Sequence, residues 1–216
     1  MTVLLFITTI VVFLTIDHFV QRRKKPYLAA EPSLQKAMPM RTPAGIFFAK
    51  SHTWLSLFPS GNIQLGIDDF LARLFRKPRV AMLKNVNEPV AKGEPIMRIA
   101  EGTHEVLVRS PLDGVIKNVN SNLPAAPALL TEALFSEGWA YTIAPAHVSD
   151  LRKLYLGEDT RVWLKHEMAK LRDFFAQTTA PAAVFLQDGG LPAPGIIQHL
   201  NAEQCKQFED AFLRVE

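Results

Sequence analysis

The spacing of apolar and polar residues divides the chain into four stretches with different predicted structures. Residues 1–20, "MTVLLFITTIVVFLTIDHFV", carry no charge through Ile16, and apolar character resumes at Phe19 and Val20. At 1.5 Å per residue, twenty helical residues span about 30 Å, the thickness of one hydrocarbon core. Residues 21–45 follow with a basic cluster and four prolines and no sustained apolar period, the pattern of a linker. From residue 46 to 148 short alternating runs are broken by turn signals such as Pro59-Ser60-Gly61 and Asp113-Gly114. Seven or so short strands of this kind predict a small barrel or sandwich, with a short helix at "DDFLARLF" capped by Asp68 or Asp69. From Ser149 the period becomes helical, with Leu164, Met168, Leu171 and Phe175 on one face through residue 176 and Gly157 as an interruption. Residues 177–216 hold a loop and a last helix, for which Asn201 and Gln204 form a capping-box pattern.

Charge orients the first stretch. Arg22, Arg23, Lys24 and Lys25 follow the apolar run, and no small-residue cleavage pattern precedes them. The positive-inside rule therefore predicts an uncleaved single-pass anchor in the cell membrane, with the C-terminal body in the cytoplasm. Asp17 and His18 fall at the inner boundary, where headgroups and water reach them.

The chain's 24 Lys and Arg stand against 21 Asp and Glu, a net charge of +3 that gives no basic stripe for nucleic acid. One cysteine, Cys205, cannot form an internal disulfide and reads as a small helix residue. The six histidines show no ligand spacing, so no metal site is expected. Asp68 and Asp69 read as a helix N-terminus, and Glu101 and Glu105 as a solvated turn. Trp163 and Leu164 read as core. No nucleophile with an adjacent base is legible, no small-molecule substrate is inferred, and the chain is not expected to be an enzyme.

The order of motifs resembles the glycine cleavage H-protein family of lipoyl carriers over about residues 46–176. His52-Thr53-Trp54, Leu65-Gly66-Ile67-Asp68-Asp69 and Val90-Ala91-Lys92-Gly93-Glu94 are similar to its early motifs. Pro111, Gly114, Val115, Asn118, Val119-Asn120, Pro127-Ala128-Leu129 and Glu137-Gly138-Trp139 are similar to its later ones. The resemblance implies a mainly β barrel-sandwich hybrid, lipoyl-domain-like, with C-terminal helices, here behind one N-terminal transmembrane helix. It also implies a hairpin tip whose lysine takes lipoate. This chain reads Glu101-Gly102-Thr103-His104-Glu105 there. Counting back from Pro111 places Thr103 at the lysine position, and counting forward from Glu101 places His104 there.

Neither residue can form the amide that holds lipoate, so no cofactor is expected. The nearest lysines are Lys92 and Lys117. The reading that follows is a non-catalytic scaffold with a degenerate tip at Thr103 and His104, held to the membrane by residues 1–20 and engaging an unidentified protein partner. Two alternatives stand beside it: a lipoyl carrier that uses a non-standard lysine, and a membrane-fusion-type adaptor of an export pump.

Overall fold

The computed structural model describes residues 40–177, 186–187 and 191–215. The apolar run at 1–20, the basic cluster, most of the 21–45 linker and residues 188–190 of the "QDGG" turn lie outside the described residues. Among the described residues no helix is long and apolar enough to cross a membrane.

The fold is mainly β, with its longer helices toward the C-terminus. Strands β1 (Phe47–Ala49), β2 (Thr53–Leu57) and β3 (Ile63–Ile67) form an antiparallel meander. The turn at Pro59-Ser60-Gly61 joins β2 to β3, with Gly61 at positive φ. Helix α1 (Asp69–Arg73) follows, and the Asp68 side chain caps it by accepting from the Leu71 N–H. β4 (Arg79–Met82), β5 (Pro89–Val90), β6 (Pro95–Glu101), β7 (His104–Arg109) and β8 (Gly114–Val119) come next. After the short α2 (Leu129–Glu132), β9 (Tyr141–Pro145) returns between β3 and β8.

The strands form two antiparallel sheets, ordered β10-β1-β2-β3-β9-β8-β5 and β4-β6-β7, where β10 is Tyr155–Leu156. Both contribute to one buried core that includes Trp54, Leu65, Ile99, Val106 and Tyr141. This arrangement agrees with the sandwich expectation. The Tyr141 hydroxyl ties the sheets together. It donates to the Ile96 carbonyl at 2.6 Å and accepts from the Leu83 and Lys84 N–H groups at 3.1 and 3.2 Å. Gly66 is required by close approach, because a Cβ there would lie 2.8 Å from Trp54 Nε1.

Two sequence expectations need correction. The helix does not run from Ser149: Val148–Lys153 is a 3-10 turn and Tyr155–Leu156 is a strand paired with β1. Helix α3 begins at Glu158, after Gly157 takes φ +61°. The linker's last residues are not free of the body. Arg41 donates from its backbone and its guanidinium to Asp69, with the shortest contact at 2.6 Å.

Helix α3 (Glu158–Ala176) buries Trp163, Leu164, Leu171 and Phe175, with Met168 partly buried, as its apolar stripe predicts. A backbone pair of two-residue strands, β11 (Leu186–Gln187) and β12 (Leu191–Pro192), follows. A 3-10 turn (Ile196–His199) then leads into α4 (Ala202–Phe212). The capping box between Asn201 and Gln204 is present at the start of α4.

Candidate functional site

β6 and β7 form a hairpin closed by Gly102 and Thr103, with Glu101 opposite His104. A two-residue hairpin turn of this kind needs positive φ at its first position, and Gly102 supplies +62°. Thr103 is the exposed apex, and His104 is half-buried beside it. Met97 pairs with Val108 and Ile99 with Val106 on the inner face, all four fully buried. The outer face carries Arg98 and Glu105, whose charged groups lie 3.5 Å apart.

Glu101 is not solvated, which corrects the sequence expectation. Period-two alternation places it on the inner face with Ile99, and it is 4% exposed. Its two carboxylate oxygens accept from the backbone N–H groups of Arg76 and Lys77, at 2.9 and 2.7 Å. The Arg79 guanidinium donates to the Gly102 carbonyl at 2.9 Å. The loop between α1 and β4 therefore grips the hairpin just below its tip. Glu105 remains exposed, as expected.

The other side of the hairpin meets α4. The Glu209 carboxylate accepts from the Leu107 N–H at 2.8 Å. A cavity of about 420 Å³ lies between the tip and α4, lined by Thr103, His104, Cys205, Lys206 and Glu209 among others. His104 Nδ1 is buried there without a hydrogen-bond partner among the described residues. Burial and the charge of Glu209 raise the Cys205 pKa, so the thiol stays protonated at neutral pH. Sequence reading missed that Cys205, Lys206 and Glu209 stand beside the tip. The apolar period of the last helix predicts its buried face but does not say which surface receives it.

The other residues singled out from sequence lie apart from the tip. Lys92 is exposed in the turn after β5, and Lys117 is exposed on β8. Asp69 is not merely an N-terminal residue: burial pushes its carboxyl up, but Arg73 and Arg41 outweigh burial and hold it below its ordinary value. His52, from the His-x-Trp strand entry, is fully buried at φ +55°. It is stacked on Phe70 at 3.9 Å and on Trp163 at 5.0 Å between ring centroids. Its Nδ1 lies 2.7 Å from Asp68 Oδ2, and its Nε2 lies 3.7 Å from Glu167 Oε2. Burial alone would lower the pKa of His52, but the two carboxylates overcome it and raise the value above 6.5. Among the described residues no three His, Cys, Asp or Glu side chains converge as a metal set.

The family model described as "Glycine cleavage H-protein" matches residues 46–167, over half of the chain. The chain belongs to the glycine cleavage H-protein family. The glycine cleavage system H protein of Anaeromyxobacter sp. (strain K) is 32% identical over 116 residues, covering 53% of this chain and 89% of that relative. The H protein of Stenotrophomonas maltophilia (strain R551-3) is 28% identical over 118 residues, covering 52% and 86%. A crystal structure of the Mycobacterium marinum H protein shares 22% identity, covers 48% of this chain and 86% of that chain, and aligns with a TM-score of 0.44. The H-protein match contains the β6–β7 hairpin and ends within α3, before α4 and the tail that follows it.

Proposed function

We propose that this protein is a membrane-anchored, H-protein-like scaffold that carries no lipoyl arm and engages a protein partner from the cytoplasmic face. The observation that carries this reading is the hairpin tip. A lipoyl amide needs a primary amine on a tip that stands clear of the body. Thr103 offers a hydroxyl and His104 an imidazole, and no lysine occurs between Lys92 and Lys117. The Glu101 and Glu209 contacts hold both sides of the hairpin, which suits a fixed recognition surface better than a delivery arm. The relatives are named for the glycine cleavage system, so enzymes of that system, or enzymes that handle lipoate, are the first partners to test.

The apolar run at residues 1–20 and the basic cluster after it support a single-pass anchor with the body inside. The basic cluster adds attraction to anionic lipid. No residue is assigned a catalytic role, and the protein is read as a non-enzyme.

The test is affinity purification of the full-length protein from its native membrane, with intact mass and co-purifying proteins read from one sample. An unmodified mass with a stable partner is the expected result. A mass raised by one lipoyl group returns the protein to the carriers, with Lys92 or Lys117 as the site to map. Recovery of the protein from the soluble fraction overturns the anchor.

A further inference from the structure

The segment after α3 lies beyond the family match, yet it is bound to the H-protein-like body as a ligand helix is bound. Cys205, Phe208 and Phe212 are buried on one face of α4, at helical spacings of three and four. Phe212 packs on Phe70 of α1 at 5.7 Å between ring centroids. Phe208 and Phe212 both meet Phe174 of α3 edge-on, at 6.1 and 5.9 Å. On the flank between these anchors, Glu209 caps the Leu107 N–H on the edge strand β7. Aromatic anchors on an apolar floor follow the helix-in-groove mode of peptide recognition, and one acid satisfies a donor on the open strand edge.

α4 meets the body through one face only: Cys205, Phe208 and Phe212 are buried, while Ala202, Glu203, Lys206, Gln207, Asp210 and Ala211 are exposed. Open pockets of about 420, 220 and 320 Å³ flank the helix. A peripheral helix held by one face opens at lower cost than the central strands.

We infer that α1, α3 and β7 form a helix-receiving groove, occupied in cis by residues 202–212. In trans the groove takes an amphipathic helix of the same chemistry: two aromatic anchors four residues apart with a carboxylate between them. This rests on the scaffold reading and names the chemistry of the scaffold's partner.

The test uses the full-length protein and a fluorescent synthetic peptide of residues 196–215. In the wild-type chain, amide exchange of residues 203–212 should be at least about a hundredfold faster than that of β3 and β9, as for a locally opening element. The Phe208→Ala chain, with its own helix weakened, should capture the peptide at least about tenfold more tightly than wild type, as removal of a competing cis ligand requires. A peptide with both phenylalanines replaced by alanine should not be captured. Equal exchange in α4 and β3 overturns the inference. So does a Phe208→Ala chain that keeps β3 protection but captures no peptide, or one that loses protection throughout, since α4 is then core. Intact mass on the same sample separates the two readings. Capture by a lipoylated chain leaves the groove standing and removes the scaffold, whereas an unmodified chain without capture removes only the groove.

Discussion

His52 lies between two carboxylates, and that placement dictates its protonation. A neutral imidazole has one donor and one acceptor, so it would present a lone pair to either Asp68 or Glu167. The imidazolium presents a proton to both. Its folded-state pKa is raised above the ordinary 6.5, so the ion pairs contribute fully below that value and are lost as pH rises through the folded-state pKa. Urea midpoints should therefore fall as pH climbs from about 6.5, and a His52→Asn chain should lack that slope. A wild-type midpoint independent of pH over this range would contradict the assignment. Glu101 makes a second residue-scale case. Removing its carboxylate in Glu101→Ala leaves the Arg76 and Lys77 N–H groups without their acceptor. The expected loss is about 2 kcal/mol in urea unfolding, from the two hydrogen bonds to a charged acceptor that are lost. A loss near zero would mean that the loop grips the hairpin in another way.

Among the elements, the β2–β3 meander shows how one side chain sets the spacing of a sheet. The Trp54 indole lies against Gly66, where any Cβ would come within 2.8 Å. A Gly66→Ala chain should lose about 1–3 kcal/mol, the usual cost of overpacking, read as a lower thermal midpoint with the secondary structure retained. The meander, a helix N-terminus at Asp68 or Asp69, the stripe on α3 and the Asn201 box were all legible in sequence, because each depends on residues a few positions apart. The strand at Tyr155–Leu156 was not legible. Its pairing with Phe47 and Phe48 spans over a hundred residues, and that contact overrode a local helical pattern.

At the scale of the whole molecule, the Tyr141 hydroxyl on β9 joins the larger sheet to the β4–β6 side through three hydrogen bonds. Tyr141→Phe removes that junction while keeping the ring. The expected cost is about 1–2 kcal/mol, since the Lys84 N–H loses its acceptor while the Leu83 N–H and the Ile96 carbonyl keep each other at 2.9 Å. Denaturation should stay cooperative with a lower midpoint, and an unchanged midpoint would show that the sheets are joined chiefly by apolar packing. The tip residues Thr103 and His104 were legible by motif order, because a hairpin apex is fixed by the glycine turn and the strand lengths around it. Their neighbours Cys205, Lys206 and Glu209 were not legible, because a hundred residues of chain separate them from the tip.

The sequence by itself determined the motif order, the lysine-free tip and the turn that forms it, since these depend on residue identity and short spacing. It also determined the last helix and its Asn201–Gln204 capping box. Only the tertiary structure decided that Glu101 is buried, that His52 bridges Asp68 and Glu167, and that α4 covers the edge of β7. The physical reason is shared by all three. In each case a distant part of the chain supplies the polar partner, and that partner is chosen by packing rather than by local pattern.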